Sequence, residues 1–296
     1  MLGGTMNAFR WTLLLEIIFV VTAMAYIGLS VTWAQVNGLL RDRGLVGRSL
    51  LANLLLVPLL AAGLIAVIPM PLDAQVALIL LALAPGGLNV LQFSTKIDGH
   101  LAQAAALLFL LSMLSLITTP VGVALMPMPR DPGQLIAVRN ILAFLAAVLA
   151  PMALGALVRR HTPELAEKLA RPINLMSTVS FVAAMLVGSA IKKDAAEALG
   201  GSVLLVLVLF VAGTWLIGWV LGGGDGADRR LLATVTSIRN AGLVLLFGIT
   251  LFPNTGVDTV VLAYALLMIL PNAAIMVTHS VRQKRAAHKL GQTPKV

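Results

Sequence analysis

An arginine stands in the middle of an apolar segment of this chain. Arg239 is the only charged residue between positions 231 and 252. A charged side chain near the centre of a bilayer costs about 3 kcal/mol on insertion scales, so it normally faces the protein interior or a water-filled cavity. We therefore expect Arg239 to bind an anion or to provide a fixed interior charge. The plainer alternatives are snorkelling and pairing with a buried carboxylate, although Glu16 and Asp98 both lie near segment ends.

Helix-breaking residues and side-chain amides gather beside this arginine and in one segment of the first half. The sequence reads Ala-Pro-Gly-Gly-Leu-Asn at 84–89 and Ser-Ile-Arg-Asn-Ala-Gly at 237–242. Non-helical backbone at membrane depth survives only where it is buried in protein or lines a cavity, and the helix N-termini after each break would suit an anion. A single asparagine is often only an interhelical contact, but four amides surround these breaks. The predicted substrate-binding residues are Pro85, Gly86, Gly87, Asn89, Gln92, Arg239, Asn240 and Asn53.

The remaining polar side chains do not form a reactive group. The hydroxyls of Ser112, Ser115, Thr118 and Thr119 lie on one apolar segment, and we expect them to bond to carbonyls of their own helix. The histidines fall in loops or at segment ends, and the chain contains no cysteine. No serine, histidine and aspartate are expected at the same depth in the membrane, as a catalytic triad would require. The sequence therefore predicts no enzymatic activity, no cofactor and no resident metal.

The composition is that of a multi-pass membrane protein. Hydrophobic residues make up 59% of the chain and charged residues 11%, whereas about a quarter of a soluble domain is charged. The loops are too short for a soluble catalytic domain. Nine apolar segments are long enough to span a bilayer, namely 11–32, 49–68, 74–95, 101–126, 135–158, 172–191, 201–221, 231–252 and 258–280.

The distribution of basic residues predicts the orientation. If the N-terminus lies outside, most of the 21 lysines and arginines fall in inner loops and in the basic tail 282–296, as the positive-inside rule requires. The C-terminus would then be cytoplasmic, in the plasma (inner) membrane. Because the basic residues are scattered, the net charge of +9 indicates contact with anionic lipids and not with nucleic acid. The oligomeric state is left open.

The chain divides into two halves at the breaker-rich segment 127–133. The first half, 1–132, holds four of the segments, and the second, 133–281, holds five. The two broken segments read alike but would run in opposite directions, which is typical of an inverted repeat. At 162–164, the sequence Thr-Pro-Glu predicts the start of a short surface helix.

Several short motifs together resemble a known family. They occur in the same order along nearly the full chain, and their spacing makes the set specific: Met24–Thr32, Ala52-Asn53, Val57-Pro58, Pro85-Gly86-Gly87, Gly99, Thr119-Pro120, Arg229-Arg230 and Arg239–Leu243. In this respect the chain is similar to the bile acid:sodium symporter family. The resemblance implies nine helices. Spans 2–4 and 7–9 would form a core in which spans 3 and 8 cross at their breaks, and spans 1, 5 and 6 would form a panel.

The chain departs from the family at the sodium ligands. Carried over without gaps, the family's glutamate falls on Val235, its neighbouring glutamine on Arg239 and its span-2 glutamine on Asn53. The other ligand positions fall on Val90, Leu91, Ala104 and Leu108. A hard cation needs oxygen ligands, so the resemblance implies a carrier without the usual sodium sites, in which the Arg239 guanidinium replaces one cation.

Three functions stay open at this point. We expect a secondary transporter that moves a small organic anion by alternating access. The first alternative is a sodium-coupled organic anion symporter with rearranged ligands, and the second is a transport-inactive membrane sensor or partner subunit. A cavity with Arg239 at its wall would favour the carrier, and a missing cavity would favour the sensor.

Overall fold

The computed structural model describes most of the chain. The described residues are 2–87, 90, 101–125, 138–191, 199–224, 226–252 and 255–274. Within these ranges every regular element is a helix, and the single isolated β-bridge belongs to no strand. The predicted all-α fold is confirmed for this part of the chain. Asn89, Gln92, the boundary segment 127–133 and the tail 282–296 lie outside the described residues.

The helices follow one another with short connections. In chain order they are α1 (Leu2–Ser30), α2 (Trp33–Arg41), α3 (Arg43–Leu50), a π-helical segment (Leu51–Leu56), α4 (Val57–Val67), α5 (Leu72–Leu83), α6 (Leu101–Leu125), α7 (Val138–His161), α8 (Pro163–Ile191), α9 (Gly201–Leu221), α10 (Gly226–Ser237), α11 (Ala241–Leu251) and α12 (Val257–Leu267).

Six helical stretches in the described residues are long and apolar enough to cross a membrane. They are Trp11–Ser30, Arg43–Val67, Ala102–Gly122, Pro163–Gly188, Gly201–Leu221 and Val257–Ala274. Two further apolar helices, α5 and α11, are too short to span alone because each ends or begins at one of the predicted breaks. The chain therefore has the helices of an integral membrane protein, while the count of nine and the inverted repeat stay predictions.

The segment after Thr162 differs from the prediction. A helix does begin at Pro163, as the Thr-Pro-Glu sequence indicates, but it is not a separate surface helix. It continues through Pro172 to Ile191 as one helix of 29 residues. Proline is tolerated inside membrane helices because neighbouring groups satisfy the carbonyl that it leaves free. The prediction of a short, independent helix here is wrong.

Helix α1 packs chiefly against α7 and α8 and also contacts α11, which packs in turn against α12 and α5. The contact between α1 and α7 is made backbone to backbone at two glycines. A Cβ on Gly28 would overlap the Met152 carbonyl, and one on Gly155 would lie 2.9 Å from the backbone nitrogen of Leu29. Small residues allow membrane helices to approach this closely. Helices α1, α7 and α8 thus pack together, while the division into a core and a panel stays a prediction.

Candidate functional site

The two breaks meet and hydrogen-bond to each other. Pro85 and Arg239 form an isolated antiparallel bridge. The backbone N–H of Gly87 donates to the Ile238 carbonyl at 3.2 Å, and that of Asn240 donates to the Ala84 carbonyl at 2.9 Å. Each break therefore satisfies backbone groups that the other leaves free, which membrane burial requires. Contact between the two breaks is what their sequences predict.

Two glycines make this approach possible. Gly86 has φ of +88°, a left-handed conformation that glycine adopts without the steric cost of a Cβ. Gly87 has no room for a side chain, because a Cβ there would overlap the Arg239 carbonyl and lie 2.7 Å from Cγ2 of Ile238. The Pro-Gly-Gly sequence thus both ends the first half-helix and admits the second break.

Arg239 is buried completely at this crossing, with an exposed fraction of 0%. Its Nε donates to the Leu81 carbonyl at 2.9 Å, and Nη2 donates to the Ala82 carbonyl at 2.6 Å. Nη1 donates to Oδ1 of Asn53 at 2.5 Å and to the Thr236 carbonyl at 3.4 Å. The guanidinium is therefore bound by four protein oxygens.

The position of these oxygens explains why the membrane tolerates the charge. Leu81 and Ala82 are in the last turn of α5, and Thr236 is in the last turn of α10. The C-terminal end of a helix carries partial negative charge and unpaired carbonyls. Arg239 thus neutralises the ends of both half-helices at once. In discontinuous transporter helices, such C-terminal ends and unwound carbonyls commonly coordinate a cation.

Asn53 reaches the crossing from the π-helical segment. Its side chain is buried, and its Nδ2 donates to the Ser49 carbonyl at 3.0 Å, which orients Oδ1 toward Arg239. Pro58, which has no N–H to donate, lies just beyond the segment. Single π turns inside α-helices occur frequently at functional sites.

Asn240 begins the helix that follows the second break. Its Oδ1 accepts from the backbone N–H of Leu243 at 3.1 Å, so it is the N-cap of α11. Its Nδ2 is buried and has no hydrogen-bond partner among the described residues. The structure therefore assigns the oxygen of this amide to the helix terminus.

Substituting this cap tests the assignment. We expect Asn240→Ala to lower the free energy of unfolding by about 1 kcal/mol, because the N-terminus of α11 loses a capping oxygen. Asn240→Ser retains a capping oxygen and is expected to keep most of that stability. Denaturant unfolding of the purified protein in detergent measures both. Equal losses in the two variants would show that the unpartnered Nδ2 group, and not the cap, matters.

Hydroxyl groups on helix α6 hold the crossing in place. Thr118 and Thr119 donate to the Leu83 carbonyl at 2.8 and 2.9 Å. The expectation that they bond within their own helix is wrong, as it is for Ser112, whose Oγ donates to the Gly86 carbonyl at 3.3 Å. The end of α5 supplies carbonyls that lack helical partners, so it competes successfully for these donors. Ser115 does bond within its helix, to the Ser112 carbonyl.

Tyr264 and Asn272 support the second break. The Tyr264 hydroxyl donates to the Ser237 carbonyl at 2.8 Å, and Nδ2 of Asn272 donates to Ser237 Oγ at 3.1 Å. Sequence reasoning missed both residues. Their presence in a mostly apolar final segment could have indicated that they face the protein interior.

Of the eight predicted site residues, the structure brings six together at the crossing: Pro85, Gly86, Gly87, Arg239, Asn240 and Asn53. Asn89 and Gln92 lie outside the described residues. At four of the positions where the resemblance would place sodium ligands, Val235, Val90, Ala104 and Leu108, the side chains are apolar and fully buried. The arrangement holds a fixed cation among oxygens, and the residues that form it offer no acid–base or nucleophilic chemistry.

Comparison with known proteins points to one transporter family. Residues 17–197 match the family described as the Sodium Bile acid symporter family. The chain is also 26% identical, over 249 residues, to a Bacillus subtilis (strain 168) protein described as "Uncharacterized sodium-dependent transporter YocS". That alignment covers 80% of this chain and 74% of the relative.

Proposed function

Since the chain belongs to the sodium bile acid symporter family, we propose that it moves a small organic anion across the membrane by alternating access. Membership points to a sodium-dependent secondary transporter. Our proposal differs on the cation: the Arg239 guanidinium supplies the positive charge at the crossing permanently. The protein would lie in the plasma membrane with its N-terminus outside and its C-terminal tail at the cytoplasmic lipid surface.

The observation that carries the proposal is the ligand set of Arg239. A guanidinium bound by Asn53 Oδ1 and by carbonyls at the ends of two half-helices takes the place of a metal ion bound by oxygens. Where the resemblance places the family's other ligands, Val235 and Ala104 are apolar and have no exposed surface, so their side chains offer no oxygen to sodium.

The positive charge of Arg239 and the nearby N-terminus of α11 favour an organic anion as the substrate. The crossing carries one formal positive charge with no carboxylate among its ligands, because the four groups that bind Arg239 are carbonyl and amide oxygens. The N-terminus of α11 begins beside it and adds partial positive charge. An anion arriving between the two groups of helices would experience both, whereas a cationic substrate would be repelled. We infer that the substrate contains a carboxylate or a similar anionic group and that it approaches without displacing Arg239 from its carbonyls.

A binding screen in different salts tests this function. Purified protein is mixed with a panel of small organic carboxylates, and thermal unfolding is followed in sodium, potassium or choline chloride at equal ionic strength. We expect stabilising carboxylates to bind with similar affinity in all three salts. A tenfold loss of affinity without sodium, equivalent to about 1.4 kcal/mol, would establish the sodium-coupled symporter that the name of the relative favours.

Uptake into vesicles then separates a carrier from a sensor. The carboxylate that stabilises the protein most is offered, radiolabelled, to proteoliposomes loaded with the unlabelled compound. Exchange across the membrane is expected for a carrier. Binding without exchange would assign the protein to the sensor or partner-subunit class.

A further inference from the structure

A carboxylate is buried on the face of α1 that packs against the rest of the protein. Glu16 is 1% exposed, and it is the only acidic residue classed as buried among the described residues. Phe19, Val20 and Ala23, which follow it on the same face, are buried as well, whereas Leu14 and Ile17 on the other face are exposed. Glu16 therefore points into the protein from a membrane-length helix.

The contacts of its neighbours locate this carboxylate. Toward the N-terminus of α1, Cγ2 of Thr12 lies 4.0 Å from the Cβ position of Gly188. In the other direction, the Phe19 and Phe181 rings lie 4.7 Å apart. Helices α1 and α8 are therefore antiparallel here, and the register places Glu16 opposite Ala184, which is fully buried.

The same face of α1 contacts the broken helix. A Cβ on Gly242 would overlap the Phe19 ring, so α1 lies directly against the first turn of α11. Leu262 of α12 approaches from the other side, since its Cδ1 lies 3.1 Å from the Cβ position of Gly188. Glu16, one helical turn from Phe19, thus lies where the α1–α8 pair meets the helices of the crossing.

The charged groups near this junction do not neutralise Glu16. Its Oε2 has no hydrogen-bond partner among the described residues. Arg239, the nearest cation on the α11 side, is bound by its own four oxygens. Helix α11 itself and the described part of α6 carry no charged residue. On α1 itself, Arg10 precedes Glu16 by six residues and Tyr26 follows it by ten, so neither stands at the three- or four-residue spacing at which side chains of one helix meet. The titratable residues of the other helices packed around α1 lie toward helix ends or in α12: Glu164, Glu167, Lys168, Arg171, Arg139, Arg159, Arg160, His161, Asp258 and Tyr264.

An unpaired carboxylate in apolar surroundings binds a proton instead of remaining charged. We propose that Glu16 is a proton-binding site whose ionisation separates α1 and α8 from the crossing helices. The proton comes from water on one side of the membrane, forms the O–H bond of a neutral carboxylic acid, and returns to water on the other side. Water that enters the junction would hydrate the ionised form.

This inference rests on the proposed function and supplies what that function lacks. A guanidinium is attached to the chain, so it cannot cross the membrane and cannot couple transport to an ion gradient. A carboxylate at the boundary between the two groups of helices can exchange its proton with either side as that boundary opens. The proton gradient would then drive transport in place of a sodium gradient, while Arg239 replaces only the positive charge of the sodium ion.

A single introduced thiol can report on the opening. The chain has no cysteine, so Ala184→Cys places a unique thiol opposite Glu16. The rate of its reaction with N-ethylmaleimide is measured in proteoliposomes from mildly acidic to mildly alkaline pH, with Glu16 and with Glu16→Gln. At each pH, the rate measured with Glu16 is divided by the rate measured with Glu16→Gln. This ratio cancels the increase in rate that comes from ionisation of the thiol itself. We expect the ratio to rise about tenfold with pH, which corresponds to about 1.4 kcal/mol.

Ala166→Cys is the matched control. Ala166 is also fully buried on α8, but it lies about 27 Å from position 184 along the helix, and the ratio measured there should not change with pH. Glu16→Asp retains an ionisable group and is expected to keep a pH-dependent ratio, so it tests the proposal even if Glu16→Gln fails to fold. A ratio for the thiol at position 184 that is independent of pH would overturn the proposal.

The two proposals can fail separately. If a carboxylate ligand binds and exchanges but the thiol at position 184 shows no Glu16-dependent change, the carrier stands and the proton site fails. If that thiol responds to pH through Glu16 but no carboxylate binds, the proton site stands and the organic anion carrier fails.

Discussion

Replacing Arg239 with methionine is expected to lower the free energy of unfolding by about 3 to 5 kcal/mol, because four buried oxygens lose a donor at about 1 to 3 kcal/mol each, partly offset by the removal of a buried charge. Methionine fills much of the same volume, so the loss reports on hydrogen bonds and not on a cavity. The carbonyls of Leu81, Ala82 and Thr236 and the Asn53 amide would all lose a donor. Chemical unfolding in detergent measures the change.

Arg239→Lys is the matched control for charge. An ammonium keeps the positive charge and three donors, but it lacks the planar geometry of a guanidinium. We expect it to recover roughly half of the stability lost in the methionine variant. A methionine variant as stable as the parent would contradict the conclusion that Arg239 holds the two half-helices together.

The same position can be used to rebuild a sodium site. Arg239→Gln combined with Val235→Glu introduces the two polar residues that the resemblance implies for these positions. This double variant should gain stability when sodium replaces choline, while neither single variant should. A sodium response in the parent protein would show instead that an intact sodium site is present.

Gly87→Ala is expected to produce the second large effect. The added methyl group would overlap the Arg239 carbonyl, which is backbone and cannot rotate away. Overpacking of this kind costs about 1 to 3 kcal/mol, and we expect a loss near the upper limit because the shift would also stretch the hydrogen bond from the Gly87 N–H to Ile238. Thermal and denaturant unfolding of the purified protein measure the loss.

Gly63→Ala supplies a control with the same chemical change. Gly63 lies within α4, and nothing comes within 4 Å of the position of its Cβ. Alanine has a higher helix propensity than glycine, so this variant should be neutral or more stable by up to about 1 kcal/mol. Equal losses at Gly63 and Gly87 would mean that the close contact at the crossing contributes nothing specific.

The two breaks were predictable from the sequence because their causes are local, whereas their crossing was implied by the resemblance to a known family. Proline and glycine at 85–87 cannot continue a helix in a bilayer without support, and a charge at 239 cannot face lipid. It is the combination of a proline with two glycines that indicates irregular backbone, since Pro172 alone lies within the continuous helix α8. The depth of Asn53 in its own segment also matched that of the breaks, and the structure places it against Arg239.

The partners of Arg239 could not be predicted in the same way. Sequence reasoning considered carboxylates and a bound anion, whereas most of the actual acceptors are backbone carbonyls, which every residue has. Which carbonyls are free depends on where α5 and α10 end in three dimensions. The bonds from Thr118 and Thr119 to Leu83 were missed for the same reason, and the π-helical segment has no distinctive sequence signal.

The hydrogen bond from Arg239 to Ala82 joins residues 157 positions apart, and this separation affects how the protein is made. Ribosomes add about 5 to 20 residues per second, so the end of α5 emerges roughly 8 to 30 s before the arginine that neutralises it. During that interval the nascent first half carries unsatisfied carbonyls that lipid cannot hydrate. Because these carbonyls lack the Arg239 donor until the second half has been synthesised, we expect insertion of the first broken segment, and not only the stability of the folded protein, to depend on Arg239.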